Sequence, residues 1–183
     1  MTDTATMLVP TPNTDELPRR FSDFATFGEA LDYAATGKRG LNFHDARGNL
    51  IRVYPFSELR QEALAMARRM IASGIMPSDR VALIAETGTD FAALFCGAVY
   101  AGAWPVPLPL PTSFGGKENY IDQLAVQITS SDPAMLLYPD EIAGICAAAA
   151  ERCGWRRAAR APATLASCCS RRALPPLARA DTL

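Results

Sequence analysis

The chain has 183 residues, 49% apolar and 20% charged, with a net charge of −1. That is the balance of a soluble globular domain long enough to bury a core, and it gives no electrostatic case for nucleic acid. The near-neutrality conceals an asymmetry, because residues 1–150 hold 11 Lys/Arg and 17 Asp/Glu, a net of −6, and residues 151–183 hold seven Arg and two acids, a net of +5.

Residues 1–20 are polar, carry prolines and show no period, which predicts a loose N-terminal arm. The arm has no apolar stretch of the secretory kind and already contains Asp3, Asp15 and Glu16. The five cysteines are odd in number and form no C-x-x-C pair, so neither a disulfide framework nor a zinc site is indicated. Reduced thiols in a cytoplasmic protein are the expectation.

The arm gives way to FATFGEALDYAA (24–35), an amphipathic helix with Phe27, Leu31 and Ala34 or Ala35 on one face and Gly37 as its stop. GLNFHDARGNLIRVY follows. Leu41 and Phe43, then Ile51 and Val53, alternate with polar residues on either side of Asp45–Asn49, the signature of a β-hairpin. Ser57 is placed to cap a long helix whose core face is Leu59, Ala63, Met66 and Met70, at spacings of four, three and four. Arg60, Glu62, Arg68 and Arg69 take its wet side, and Gly74 with Pro77 ends it.

Val81–Ala85 is a short apolar run suited to a strand buried on both faces. Thr89 or Asp90 can cap the next helix, Phe91–Ala101, which is apolar nearly all round and stops at Gly102. Phe91–Pro111 has 21 residues without a charge, a membrane-span length, but its four prolines would leave backbone groups unpaired in lipid. A buried soluble helix followed by a strand at Trp104–Val106 is therefore expected, with no membrane span. Glu118–Thr129 reads as a helix with Tyr120 or Ile121, Leu124 and Ile128 inward, Ala134–Tyr138 as a strand, and Glu141–Ala150 as a further helix. Helices alternating with strands at this spacing predict an α/β fold: a mostly parallel sheet with flanking helices, preceded by the β-hairpin. Residues 21–150 form that domain. Residues 151–183 have no apolar period and are Arg- and Ala-rich. They read as an irregular tail foreign to the fold, of the composition a GC-rich gene yields in another frame. An uninterrupted parent reading frame through this tail would overturn that origin.

The motifs that could carry chemistry fail on spacing. Pro105, Pro107, Pro109 and Pro111 lie two apart, so no pair has the P-x-x-P register of a polyproline ligand. Gly115-Gly116-Lys117 lacks the glycine five positions ahead and the hydroxyl behind that a phosphate loop needs, since Glu118 follows the lysine. His44, the only histidine, has no nucleophile placed by a local motif. Cys96 sits in the most apolar helix and reads as a core residue. Glu86 and Asp90 around Thr87-Gly88-Thr89 are explained by helix capping. No catalytic, cofactor-binding or metal-binding residue is assigned.

The order of segments supplies what the motifs do not. Tyr54–Leu59 resembles the Tyr-x-x-Leu helix entry of the adenylate-forming superfamily, the AMP-dependent synthetases and ligases that include acyl-CoA synthetases. Ala72–Val81 (ASGIMPSDRV) is similar to its Gly-x-x-x-Gly-Asp-x-Val step, with Ser78 where Gly is usual, and Tyr100–Pro107 (YAGAWPVP) to its Ala-Gly-Ala-x-x-x-Pro turn. PLPLPTSFGGKENYIDQL and GLNFHDARGNL most resemble the fatty-acyl-AMP ligase branch. The resemblance implies an enzyme that joins a fatty acid to ATP as acyl-adenylate, with magnesium present and pyrophosphate released. It implies fatty acid and ATP as partners of the full-length family. It covers residues 24–150 only, and the family's Ser/Thr/Gly-rich ATP loop and later motifs have no counterpart in the sequence. The expectation is thus an N-terminal portion, inactive alone, that associates with itself through an open sheet edge. The alternative is a non-enzymatic interaction module using the proline-rich segment or the basic tail.

Overall fold

A computed structural model describes residues 17–18, 20, 23–111 and 116–155, and the backbone of 163–164. The first helix, α1 (Phe27–Ala34), is capped by Thr26, whose hydroxyl accepts from Glu29 N at 3.1 Å while the Glu29 carboxylate accepts from Ala25 N at 3.0 Å. This is a variant of the Thr-x-x-Glu capping box, in which the carboxylate takes the N–H one residue before the cap. Most of the expected arm lies outside the described residues. Its end is fastened to α1, since the Tyr33 hydroxyl donates to Pro18 O at 2.6 Å and the Arg20 guanidinium lies 5.3 Å from the Tyr33 ring centre.

The hairpin forms as expected from β1 (Gly40–His44) and β2 (Leu50–Pro55), antiparallel, closed by Asp45 and Asn49. The two runs of apolar residues lie on opposite faces of it. Leu41 stands opposite Tyr54 and Phe43 opposite Arg52, and this is the face against the core; Tyr54 is fully buried. Ile51 and Val53 point outwards, 67% and 53% exposed. A register shift between Phe43 and His44 separates the two strands' alternation, so matching patterns in sequence do not share a face.

Helix α2 (Phe56–Ala72) buries Leu59, Ala63, Met66 and Met70, the face expected from their spacing. Its cap is Pro55, not Ser57. The strand runs directly into the helix, and Phe56 N donates to Arg39 O at 2.9 Å, so no side-chain cap is made. Strand β3 (Arg80–Ile84) is followed by α3 (Thr89–Tyr100), which Gly88 caps through its backbone; Thr89 and Asp90 lie inside the first turn and supply no side-chain cap bond. Gly74 and Gly102, with φ of +85° and +72°, close α2 and α3 in the left-handed region a side chain would resist.

The proline segment forms β4 (Trp104–Leu108), parallel to β3. Trp104 N donates to Asp79 O at 2.8 Å, so the period of two turns alternate N–H groups toward β3 and positions 105 and 107 outwards. The prolines thus sit where their missing N–H costs the ladder nothing, and the outer edge of β4 has no donors there for another strand. Helix α4 (Gly116–Ser131), β5 (Met135–Tyr138), a 3₁₀ turn at Asp140–Ile142, α5 (Ala143–Arg152) and β6 (Ala163–Thr164) complete the described elements. Ordered structure continues past residue 150: α5 runs through Arg152, and the Trp155 indole packs on the core and donates to Pro133 O at 3.0 Å. The rest of the expected tail, apart from the β6 backbone, lies outside the described residues.

The sheet order is β4-β3-β5-β6, all parallel. From β3 the chain crosses to β4 on one side, then back over to β5 on the other. Right-handed crossovers in opposite directions put α3 and α4 on opposite faces. Val81, Leu83, Met135 and Leu137 enter a core with α2, α3 and the hairpin. Ala82, Ile84, Leu136 and Tyr138 alternate with them and enter a second core with α4 and α5. Both faces of β3 and β5 are therefore dry, and each fully buried Leu or Ile contributes about 2 kcal/mol of apolar burial against its ordering cost.

Candidate functional site

A cleft of about 790 Å³ opens at the carboxyl ends of β3, β4 and β5. Three segments line it: Ala85–Asp90 after β3, Leu110 and Pro111 after β4, and Pro139, Glu141 and Ile142 after β5. Because β4 and β5 leave β3 on opposite sides, the connections diverge here and leave a gap between them, the place where doubly wound sheets take ligands.

The chemistry of the lining is uneven. Leu110, Pro111, Pro139 and Ile142 give an apolar wall, whereas Glu86, Asp90 and Glu141 give an exposed acidic rim. No Lys or Arg is among these residues. Asp90 stands in the first turn of α3, where a carboxylate offsets the helix dipole and screens it from other anions. The rim suits a triphosphate poorly. Among the described residues no group of three His, Cys, Asp or Glu side chains could hold a metal ion. The residues present thus do not fit Mg-ATP.

The other motif residues are scattered. Lys117 is exposed in the first turn of α4, and residues 112–115 lie outside the described residues. His44 is exposed at the end of β1. Cys96 and Cys146 are buried, one on each side of the sheet, and burial pushes their thiols up to about 11 and about 12. Cys168 and Cys169 lie outside the described residues. The 21-residue uncharged run divides into the 12-residue α3 and β4, and no described helix is long and apolar enough to cross a membrane.

Two polar groups that sequence reasoning passed over serve the framework. The Tyr100 hydroxyl donates to Asp32 Oδ1 at 2.6 Å, and Arg60 Nε donates to the same oxygen at 2.6 Å, joining α1, α2 and α3. The Tyr100 bond first and the Arg60 bond second hold the Asp32 carboxyl below the usual range. Tyr54 donates to Glu62, and burial raises its phenol. In sequence only the helical phase of Asp32 and Arg60 hinted at the first cluster; their shared partner is 68 residues from Asp32.

The arrangement has known counterparts. A family model described as AMP-binding enzyme matches residues 44–169. The chain belongs to the AMP-binding enzyme family. Within that family, a Caulobacter vibrioides protein named as an acyl-CoA synthetase is 43% identical over 132 residues, covering 72% of this chain and 23% of the relative. A solved fatty acyl-adenylate ligase, from a study of the E. coli and L. pneumophila enzymes, is 34% identical with a TM-score of 0.73 over 81% of this chain and 26% of that one. The Legionella pneumophila fatty acid AMP ligase is 26% identical, TM-score 0.53, over 62% and 19%. The chain therefore spans about a quarter of the length of the relatives it matches. The resemblance read from Tyr54–Leu59, Ala72–Val81 and Tyr100–Pro107 falls inside the matched region, and the α/β expectation agrees with the fold of these structures.

Proposed function

We propose that the protein to which this region contributes activates a fatty acid at the expense of ATP, giving acyl-adenylate and pyrophosphate, in the cytoplasm. The observation that carries the reading is the 34% identity to a solved fatty acyl-adenylate ligase across 81% of this chain. The cleft supports a division of labour. Its apolar wall of Leu110, Pro111, Pro139 and Ile142 suits an acyl chain, and its acidic rim repels the reacting phosphates. In this reading ATP and magnesium are held by residues outside this chain, and the 183-residue chain does not adenylate alone.

ATP–pyrophosphate exchange with a fatty acid tests both parts. The purified chain is expected to give no exchange. Residues 44–169 grafted in place of the matching stretch of the Caulobacter relative are expected to retain fatty-acid-dependent exchange. Exchange by the chain alone would overturn the inactivity. A folded graft without exchange, beside an active parent, would overturn the acyl-activating role.

A further inference from the structure

The strip that leaves β4 has an anchoring problem. Pro105, Pro107, Pro109 and Pro111 have no N–H, so beyond Leu108 only Leu110 can donate from the backbone of this strip. Its remaining hold on the fold must come from carbonyls and side chains. The structure supplies one such hold. The Tyr120 hydroxyl donates to Pro109 O at 2.8 Å.

Tyr120 is well placed to fix the strip. It lies in the first turns of α4, is 6% exposed, and belongs to the core cluster that contains Ile84, Leu136 and Tyr138. Leu110 packs against that same cluster. Burial pushes the Tyr120 phenol up to about 12, so its proton stays on the oxygen across the physiological range. The bond therefore ties a rigid helix to the carbonyl immediately before Leu110 and Pro111, the β4 side of the cleft.

We propose that Tyr120 is a positioning residue of the cleft: through Pro109 O it holds the Leu110–Pro111 wall at a fixed distance from the Pro139–Ile142 wall, and so sets the room available to the acyl chain. The acyl part rests on the function proposed above. Tyr120 touches neither ATP nor the reacting carboxylate in this scheme. It acts only through the strip.

Tyr120→Phe keeps the buried ring and removes one O–H. In the 183-residue chain labelled with ¹³C-methyl leucine, the Leu110 methyl signals are expected to shift and broaden. Those of Leu59 and Leu94, in the other core, are expected to stay in place. Unmoved Leu110 signals would overturn the positioning role, and so would equal movement of all three residues. In the graft described above, Tyr120→Phe is expected to raise KM for the longest accepted acyl chain roughly two- to tenfold, the range of one neutral hydrogen bond, with kcat unchanged. A fall in kcat that is uniform across acyl lengths would overturn the role in specificity. If the Tyr120 graft itself gives no exchange, the acyl reading falls, while the Leu110 signals still decide whether Tyr120 holds the wall.

Discussion

The two faces of the sheet are held by partly different means. On the face of α2 and α3 the helices approach closely: a Cβ on Gly97 would lie 2.7 Å from Met66 Cβ and 3.0 Å from Ala63 O. The rim of that face is tied by side-chain pairs, Asp32 with Tyr100 and Arg60. On the face of α4 and α5, Arg152 of α5 pairs with Glu118 and Asp122 of α4, and large aromatic side chains reach loop carbonyls, Tyr120 to Pro109 O and Trp155 to Pro133 O. Apolar surface stays open on both sides, with Val126 68% exposed on α4 and Trp104 62% exposed on β4, and Phe27, Ile71 and the hairpin's Ile51 exposed around the other core. Both faces tie helix to helix through side-chain pairs. The first adds the close approach at Gly97, and the second fastens connections at the two ends of the sheet, including the β4 wall of the cleft.

The sharpest way to break the comparison is at Gly97. Gly97→Val is expected to cost the chain about 3 kcal/mol or more, because Met66 and the Ala63 backbone cannot both retreat in a close-packed core. Urea unfolding followed by circular dichroism measures it. Gly144→Ala, on α5, meets nothing within 4 Å and is expected to change stability by less than about 1 kcal/mol, in the stabilising direction. Equal losses at the two positions would mean that the close approach at Gly97 does not constrain the first core.

The buried thiols sharpen the same point without a change of fold. Cys96 reports on the first face and Cys146 on the second, and both are protonated at pH 8 because burial raises them to about 11 and about 12. Among the three cysteines of the described residues, alkylation mapped by mass spectrometry is expected to modify half-exposed Cys153 first. In Gly97→Val the Cys96 rate is expected to rise several-fold more than the Cys146 rate. Parallel increases would mean that the two cores open as one unit.

Smaller effects belong to the rim and the shared turn. Asp32 is depressed in the folded state, so its contribution is complete above the ordinary carboxylate range and is lost as pH falls through its lower folded value. With the carboxyl nearly half exposed, solvent screening limits the loss in Asp32→Ala to about 1 kcal/mol at pH 7, shrinking toward zero in acid. A pH-independent difference between the two proteins would contradict the linkage. Ser78 carries φ of +68° in the turn before β3. Ser78→Gly is expected to stabilise by about 1 kcal/mol, read from the urea midpoint, and to slow the labelling of both buried thiols alike.

Self-association of the chain remains a proposal with its own test. The prolines at 105 and 107 remove donors from the outer edge of β4, so association is expected to use exposed apolar surface such as Ile51, Val53 and Val126. Sedimentation analysis is expected to show concentration-dependent association that Val53→Lys weakens and Pro107→Ala strengthens. Insensitivity to Val53→Lys combined with strong sensitivity to Pro107→Ala would return the contact to the edge.

Much of this architecture was legible in the residues. Leu59, Ala63, Met66 and Met70 specify one face of α2 whatever they pack against, because a helix repeats every 3.6 residues. Val81–Ile84 and Met135–Tyr138 are apolar at every position, which only a strand covered on both faces accommodates. The ordered family segments from Tyr54 to Pro107 identified the relatives. The caps were harder to read. Ser57 and Thr89 have capping chemistry, but the hydroxyl is useful only if the helix begins beside it, and β2 and Gly88 set those starts.

What the chain determined alone was local: the periods, the turn glycines, and prolines spaced so that none interrupts the β4 ladder. Tertiary structure decided which side of the hairpin faces the core, because a shift of one residue at Phe43/His44 exchanges faces without altering the pattern. It also decided that Tyr120 meets Pro109, that Asp32 meets Tyr100, and that three strand ends separated by 24 to 54 residues enclose one cleft. Periodicity carries information over a few turns of chain. Contacts between distant segments depend on the direction and hand of two crossovers, which no local pattern encodes.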